Sequence, residues 1–154
     1  MSEPLTFEMG KFVAEFPVDR LYAKNHMWAE PRGELLRFGF SAYAVRLLQD
    51  VYFLDWSIDA GTDLKEKQEI GSIESKKAES SLYSPVAGRL LEFNQEILSD
   101  PSSINVDKYG AGWIFEMQPV PGLASPLLTA QQYLEHLAAV WEVTQRTIKG
   151  QMNE

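Results

Sequence analysis

The chain has 154 residues, of which 45% are apolar and 12% aromatic, a composition typical of one folded domain and not of a disordered chain. Fourteen Lys and Arg residues against 22 Asp and Glu residues give a net charge of −8 at pH 7. Because a negative chain is repelled by phosphate backbones and anionic lipid surfaces, we expect neither nucleic acid nor a membrane as a partner. The chain has no cysteine and only two histidines, which excludes thiolate catalysis and Cys-based metal sites and argues against a His-based triad.

The first residues predict a cytoplasmic protein. They lack the basic stretch followed by an apolar run that is typical of a signal peptide. No segment approaches the ~20 consecutive apolar residues of a membrane-spanning helix.

Three regions follow one another along the chain. Residues 1–19 show weak periodicity and are predicted to form an N-terminal arm. A domain is expected over 20–118, and a helical extension, packed on the same domain, over 119–154.

Short apolar and aromatic runs within the domain predict strands. Ser41 is the predicted N-cap of one short helix between two of them. The predicted strands are 34–40, 50–56, 69–74, 80–84, 89–94 and 113–117. Short strands at regular spacing, with no long helix between them, predict a mainly β sandwich or barrel.

The C-terminal region has a helical pattern. Ser125 is a candidate N-cap, with Pro126 at the first helical position. Apolar residues then recur every seven positions, with a second set three residues further on, all on one helical face. The two sets are Leu127, Leu134, Trp141 and Ile148, and Ala130, Leu137 and Thr144. We expect this helix to pack on its own domain; a partner-binding helix is the alternative.

One corner between two predicted strands carries adjacent lysines, in the segment Glu74-Ser75-Lys76-Lys77-Ala78. A lysine at the tip of a β-hairpin is held in solvent by a rigid neck, and small neighbours let an enzyme approach it closely. The motif alone leaves two interpretations open, a modified lysine and a solvated turn lysine.

Five sequence blocks occur in one order between residues 21 and 117. They are Tyr22-Ala23-Lys24-Asn25-His26-Met27-Trp28, Gly39-Phe40-Ser41-Ala42-Tyr43-Ala44, Gly71-Ser72-Ile73-Glu74-Ser75-Lys76-Lys77-Ala78, Leu82-Tyr83-Ser84-Pro85-Val86-Ala87-Gly88 and Asn105-Val106-Asp107-Lys108-Tyr109-Gly110-Ala111-Gly112-Trp113. In this order they resemble the Y-x-x-x-H-E-W, G-I-T-x-x-A, G-x-x-E-S-x-K-A, L-Y-x-P-x-x-G and N-x-x-x-Y-G-x-G-W segments of glycine cleavage system H proteins.

The resemblance implies a fold and an attachment site. The fold is a barrel-sandwich hybrid of two antiparallel sheets, with a short internal helix and a C-terminal helix. The register implies lipoic acid covalently attached at Lys77 on an exposed hairpin, with Lys76 at the family's variable position. Glu74, Ser75 and Ala78 would then serve in recognition of the hairpin.

The resemblance also implies a carrier and not an enzyme. Members of this family accept an aminomethyl group from glycine decarboxylase, a pyridoxal phosphate enzyme, and deliver it to aminomethyltransferase. Dihydrolipoamide dehydrogenase then reoxidises the lipoyl dithiol, and lipoylating enzymes are the remaining partners implied.

Three positions depart from the family pattern. Met27 replaces the usual Glu, and Ala42 and Tyr43 replace Asp and His, at positions that belong in the family to the groove where the loaded arm docks. His26 and Tyr43 are the candidate groove residues that remain, and a packed, hydrogen-bonded His26 at a strand start is the alternative. The departures motivate one alternative function, an H-like lipoate-binding protein that serves sulfur metabolism or lipoyl relay. A separate alternative is a binding module without the lipoyl group, which would use its C-terminal helix to bind a partner.

Overall fold

The computed structural model describes residues 3–122 and 125–152, the last seven of them by their backbone alone. The strands are β1 (Leu5–Met9), β2 (Phe12–Phe16), β3 (Leu21–Tyr22), β4 (Met27–Arg32), β5 (Leu35–Phe40), β6 (Val51–Trp56), β7 (Asp63–Leu64), β8 (Glu69–Ser75), β9 (Glu79–Tyr83), β10 (Gly88–Phe93) and β11 (Phe115–Pro119). The helices are α1 (Ala42–Leu48), α2 (Gln95–Ser99), α3 (Ser103–Val106) and α4 (Ala130–Met152). The prediction of a mainly β fold is confirmed.

Two antiparallel sheets enclose the main core. One has six strands in the order β3-β4-β5-β11-β10-β7, and the other has three in the order β6-β8-β9. Phe38 and Phe115 of the first sheet pack with ring centroids 5.2 Å apart, and Ile70 and Ile73 of the second are buried in the same cluster. The predicted sandwich of two antiparallel sheets is therefore present, with α1 linking β5 to β6.

The helix α1 begins where the sequence predicts. Ser41 has extended backbone geometry, and its side chain accepts a hydrogen bond from the backbone N–H of Ala44, which is the geometry of an N-cap. The helix ends at Leu48, and Gln49 follows with a positive φ of 59°. The chain then turns directly into β6.

Val51 at the start of β6 pairs with Ser75 of β8 on one side, and a side chain pairs with the outer edge of the strand. The side-chain Oδ1 of Asn105 accepts a hydrogen bond from the Val51 backbone N–H (3.1 Å), and its Nδ2 donates to the Gln49 carbonyl oxygen (2.5 Å). The Asn105 amide thus satisfies one backbone donor and one acceptor at an edge of the three-stranded sheet.

The N-terminal arm contains a third sheet, which the sequence analysis did not predict. Strands β1 and β2 form an antiparallel hairpin with Met9 opposite Phe12. The turn between them has Gly10 at a φ of 65°, a conformation that suits glycine. Phe16 of this hairpin is fully buried, so the arm belongs to the folded structure.

The helix α4 and the N-terminal hairpin share a second core. Tyr133 of α4 stacks on Tyr22 with ring centroids 4.8 Å apart, and Phe16 packs edge-on against both rings. Further along α4, Trp141 packs edge-on against Phe7 of β1 at 6.3 Å. The helix α4 therefore packs on β3 and on both strands of the N-terminal hairpin.

The predicted start of that helix was wrong. Thr129 caps α4: its Oγ1 accepts from the Gln132 N–H (3.2 Å), and the Gln132 Oε1 accepts from the Thr129 N–H (2.9 Å). This reciprocal capping box satisfies the backbone N–H groups of Thr129 and Gln132. Ser125 and Pro126 precede the helix by several residues and cannot cap it. The segment in between pairs with β3 through mutual backbone bonds of Tyr22 and Leu128.

Two further observations concern the helices. Residues 95–106, of which 99–103 were predicted as a loop, include the short helices α2 and α3. In the heptad pattern, Ile148 falls among the residues described by backbone alone. Within the described residues, none of the helices is long and apolar enough to cross a membrane.

Gly39→Ala tests the packing of β4 on β5. Gly39 lies opposite Trp28, and a Cβ there would stand 2.5 Å from the indole Cζ2 and 2.6 Å from Nε1. The indole is buried and held by a hydrogen bond from its Nε1 to the Lys108 carbonyl oxygen (2.8 Å). We expect this overpacking to lower the free energy of unfolding by about 1–3 kcal/mol, measured by urea denaturation.

The Trp28→Phe background is the control for this prediction. Because a phenyl ring lacks the indole Nε1 and Cζ2, the alanine should cost less there than in the wild-type background. An equal cost in both backgrounds would contradict the proposed clash.

Candidate functional site

A tight turn joins β8 to β9 and presents two lysines. The Ser75 N–H donates to the Ala78 carbonyl oxygen (2.8 Å). The Ser75 hydroxyl donates to the same carbonyl (3.0 Å) and accepts from the Ala78 N–H (3.1 Å). Lys76 and Lys77 are the two central residues, and both are exposed. One buried serine thus closes the turn that presents both ammonium groups.

The two lysines differ in their backbone contacts. The Lys76 N–H donates to the Asp50 carbonyl oxygen (2.8 Å), which ties that residue to the segment leading into β6. Lys77 follows it at the exposed side of the turn. The structure therefore places Lys77, Glu74, Ser75 and Ala78 together on one hairpin.

The surface next to this turn is acidic. Glu74 of β8 lies directly opposite Glu79 of β9, and both carboxylates are exposed. Like charges directly opposite each other on neighbouring strands destabilise a sheet. Stability of the sheet therefore does not explain why the two carboxylates lie opposite each other beside Lys77.

His26 and Tyr43 form a second cluster, beneath α4. The His26 Nδ1 lies 2.8 Å from the Tyr133 hydroxyl oxygen, which lies 2.9 Å from the Ser41 Oγ. The ring of Tyr43 packs 4.6 Å from the imidazole centroid. The Tyr43 hydroxyl is hydrogen-bonded to the Thr144 Oγ1 at 2.8 Å. These contacts support the alternative interpretation of His26 as a packed, hydrogen-bonded residue immediately before a strand.

Burial controls the ionisation of this cluster. Burial, together with a smaller effect of the nearby His136 imidazole, lowers the pKa of His26 to about 4. Burial also raises the pKa of Tyr43 and of Tyr133 above the usual tyrosine value. At neutral pH the cluster is therefore an uncharged network of hydrogen bonds.

The three departures from the family pattern are all buried. Met27 belongs to the main core, at 2% exposure, while Ala42 and Tyr43 belong to the second core beneath α4 and the N-terminal hairpin. A methionine, an alanine and a tyrosine suit such apolar surroundings better than the carboxylates and imidazole they replace.

An open groove that the sequence analysis did not predict lies at the far end of β9 from the turn. It has a volume of about 610 Å³, and its lining includes Lys24, Asn25, Lys67 and Tyr83. The Asn25 Nδ2 donates to the Tyr83 carbonyl oxygen (3.0 Å), which joins the first sequence block to β9. Lys24, Asn25 and Tyr83 belong to matched sequence blocks, whereas Lys67 lies outside them. Tertiary packing brings these residues together, so no local pattern predicts the groove.

A metal centre has no support among the described residues. No group of three or more His, Asp or Glu side chains within 3–122 and 125–152 is arranged to hold a metal ion. The chemistry available on this surface is that of exposed lysines and carboxylates.

The family model for glycine cleavage H-protein matches residues 20–140 of this chain. The glycine cleavage system H protein of Synechococcus sp. (strain CC9902) is 38% identical over 120 residues, covering 77% of this chain and 92% of the relative. That of Methylacidiphilum infernorum (isolate V4) is 38% identical over 122 residues, covering 79% of this chain and 94% of the relative. The crystal structure of a glycine cleavage system H protein from Mycobacterium marinum matches with a TM-score of 0.71 and 32% identity, covering 80% of this chain and 99% of that chain.

His26→Asn tests the buried imidazole. With a pKa of about 4 in the folded state and 6.5 in the unfolded chain, His26 takes up its proton on unfolding between these values. The contribution of neutral His26 to the free energy of unfolding is complete above pH 6.5. About 3 kcal/mol of it is lost as the pH falls to 4. Asparagine tolerates the positive φ of 72° at this position but does not titrate there.

The measurement is the free energy of unfolding of both proteins at several pH values from 7 to 4. Carboxylates contribute equally to both, so the wild-type protein should lose more stability than His26→Asn by about 3 kcal/mol. Parallel pH profiles would contradict a depressed His26 pKa.

Proposed function

Since the chain belongs to the glycine cleavage H-protein family, we propose that it is the carrier protein of a glycine cleavage system and that Lys77 holds its lipoyl group. The observation that carries the proposal is the β8–β9 turn, in which a buried serine holds two exposed lysines between paired strands. The five matched sequence blocks support Lys77 over Lys76 as the attachment residue.

The turn fits a covalently attached lipoyl group. The side chain of Lys77 is exposed, and the following residue is the small Ala78, so an enzyme can enclose the corner without unfolding the sheet. When bound, the lipoyl group supplies the pair of reactive sulfur atoms that this cysteine-free chain lacks. Glu74, Ser75 and Ala78 would stabilise the turn and serve in its recognition by the lipoylating enzyme.

Attachment changes the charge at the turn. The Lys77 Nζ loses a proton to solvent and attacks the carbonyl carbon of an activated lipoyl acyl group, an acyl-adenylate or thioester. The new amide C–N bond forms as the bond to the nucleotide phosphate or thiol breaks, and the nitrogen gives up its second proton to the leaving group or to solvent. Because an amide is neutral, the turn loses one positive charge and the carboxylates of Glu74 and Glu79 dominate the local field.

The carrier role requires successive partners. We propose that these are the other components of a glycine cleavage system, namely glycine decarboxylase, aminomethyltransferase and dihydrolipoamide dehydrogenase, in the cytoplasm. A flexible arm on a rigid hairpin raises the effective concentration of its cargo at each active site. The acidic surface beside the turn would steer the carrier toward basic active-site entrances.

The carrier domain proposed over 20–118 works as one unit with its two flanking regions. The arm of 1–19 contributes β1 and β2 to the second core, and the extension of 119–154 contributes α4. Both flanking regions therefore stabilise the face that holds His26 and Tyr43.

The burial of three residues favours an alternative in which the lipoyl arm carries a cargo other than the aminomethyl group. Met27, Ala42 and Tyr43 are buried, so they offer no polar face to an aminomethyl-loaded arm. The same lipoyl carrier would then serve sulfur metabolism or relay lipoyl groups to other complexes. A chain that never receives the lipoyl group is the remaining alternative.

Lys77→Arg should abolish lipoylation, because a guanidinium does not form the amide. The measurement is the peptide-resolved mass of protein co-expressed with a lipoylating enzyme. Lys76→Arg is the matched control and should be lipoylated as the wild-type protein is. Both substitutions are at exposed positions and should leave thermal unfolding unchanged. Lipoylation of Lys77→Arg but not of Lys76→Arg would move the attachment site to Lys76.

The cargo is tested with the lipoylated wild-type protein, glycine and glycine decarboxylase. We expect glycine-dependent exchange of labelled carbon dioxide at a rate comparable to that supported by an H protein of known activity. Full lipoylation without exchange would instead support the second cargo.

A further inference from the structure

We propose that one row of side chains beside the turn, Tyr52 and Phe53 of β6 with Glu74 of β8 and Glu79 of β9, is the surface that docks the enzyme which attaches the lipoyl group. These four residues are called the docking row below. The inference rests on the proposed attachment at Lys77.

The sheet register places the docking row directly below the turn. Phe53 lies opposite Glu74, and Glu74 lies opposite Glu79, so the three side chains share one face across three strands. All of them are exposed, and Phe53 is exposed by 65%. Glu74 precedes the turn residue Ser75 by one position, a distance of about 3.4 Å along the strand.

A β-bulge exposes a second aromatic residue next to Phe53. Val51 pairs with Ser75 and Phe53 with Glu74, so Tyr52 is an extra residue in β6. Val51 and Ser75 are buried, whereas Tyr52 is 45% exposed beside Phe53. Bulges re-aim side chains at sheet edges, and this one places two aromatic rings on the solvent side near the turn.

The next row on this face is small and polar. Asp55 lies opposite Ser72, and Ser72 lies opposite Ser81. Serine side chains are much smaller than phenylalanine, so the aromatic side chains of the docking row are larger than the residues of the next row. The docking row therefore combines exposed aromatic rings with carboxylates next to Lys77.

The docking row is costly for the isolated protein. Glu74 and Glu79 repel each other across the strand pair, and two large aromatic side chains remain in water. Both costs are offset when a partner supplies an apolar pocket for the rings and Lys or Arg side chains for the carboxylates. The docking row thus predicts a partner surface that has an apolar pocket with basic side chains beside it.

The geometry of the reaction selects the attaching enzyme among the possible partners. To form the amide, that enzyme must bring its acyl carbon to the Lys77 Nζ, which is one lysine side chain from the turn. It must therefore cover the turn and the row next to it. After attachment, the reactive sulfurs lie a full lipoyl chain further out, so later partners reach them without covering the row.

The test uses the unmodified full-length chain with a purified ATP-dependent lipoate ligase, lipoic acid and ATP. The rate of lipoyl addition to Lys77 is followed by mass spectrometry over a range of chain concentrations. We expect Phe53→Ala to raise the KM at least about tenfold with little change in kcat, because a buried aromatic contact is lost. Phe53→Leu, which keeps an apolar side chain, should restore the KM to within about threefold of wild type.

Tyr83→Ala is the matched control. Tyr83 is an exposed aromatic residue on the same sheet, at the far end of β9 and about 17 Å along the strand from the turn. It should be modified at the wild-type rate. A wild-type rate for Phe53→Ala, or an equal loss in Tyr83→Ala, would overturn the proposal while leaving attachment at Lys77 intact. Absence of any modification at Lys77 in the wild-type chain would overturn the proposed function as well.

The carboxylates are tested by the double substitution Glu74→Gln and Glu79→Gln. We expect it to raise the KM and to weaken the dependence of kcat/KM on salt concentration, since the two charges steer the partner. The same variant should unfold at a slightly higher denaturant concentration, because a like-charge pair has been removed. If Glu74 and Glu79 had only a structural role, the double variant would not combine a higher KM with a higher stability.

The control removes two remote charges instead, by Glu8→Gln on β1 and Glu135→Gln on α4. Both residues are exposed, so the change in net charge is the same. This variant should keep the wild-type KM. An equal rise in KM for both double variants would attribute the effect to net charge and overturn the role of the docking row.

Discussion

The register of β8 between its two neighbours is the constraint on which the hairpin depends. Ile73 and Ser75 face the core, while Glu74 between them faces solvent. A shift of one residue would bury that carboxylate and expose the isoleucine, so the hydrophobic core itself specifies where the strand ends. Ser75 is thereby held at the last buried position, where its hydroxyl bonds both the N–H and the carbonyl of Ala78. The position of Lys77 is thus a consequence of core packing several residues away.

The second core explains why this chain differs from its family pattern at the positions around His26. An imidazole that is hydrogen-bonded to Tyr133 and packed on Tyr43 needs neighbours that tolerate burial without charge. The helix α4 supplies Tyr133 and Thr144 to these contacts, and the N-terminal hairpin supplies Phe7 against the ring of Tyr43. The helix α4 and the N-terminal hairpin thus enclose His26 and Tyr43 in the second core, while the hairpin with the lysines stays exposed.

Much of the carrier domain was predictable from sequence because its signals are local. Strand composition, the Ser41 cap and the lysine corner each depend on a few adjacent residues, and each appears in the structure near its predicted position. The N-terminal hairpin was missed although Leu5–Met9 alternates apolar and polar residues, as a half-buried strand does, and Gly10 marks the turn that follows it. The helix start was misplaced because a Ser-Pro pair resembles a cap, whereas Thr129 and Gln132 form the actual one. The contact of His26 with Tyr133 spans 107 positions and depends on how α4 packs, which no local pattern encodes.

The amide of Asn105 has a consequence for the behaviour of the protein at high concentration. An outer strand with an unpaired backbone and two exposed aromatic side chains is a template for edge-to-edge association and amyloid-like growth. By bonding the Val51 N–H and the Gln49 carbonyl, the Asn105 side chain occupies the first pairing positions of that strand. The bulge at Tyr52 adds a local twist that a flat, incoming strand cannot follow. The chain can therefore keep aromatic rings in water beside its hairpin without polymerising through them.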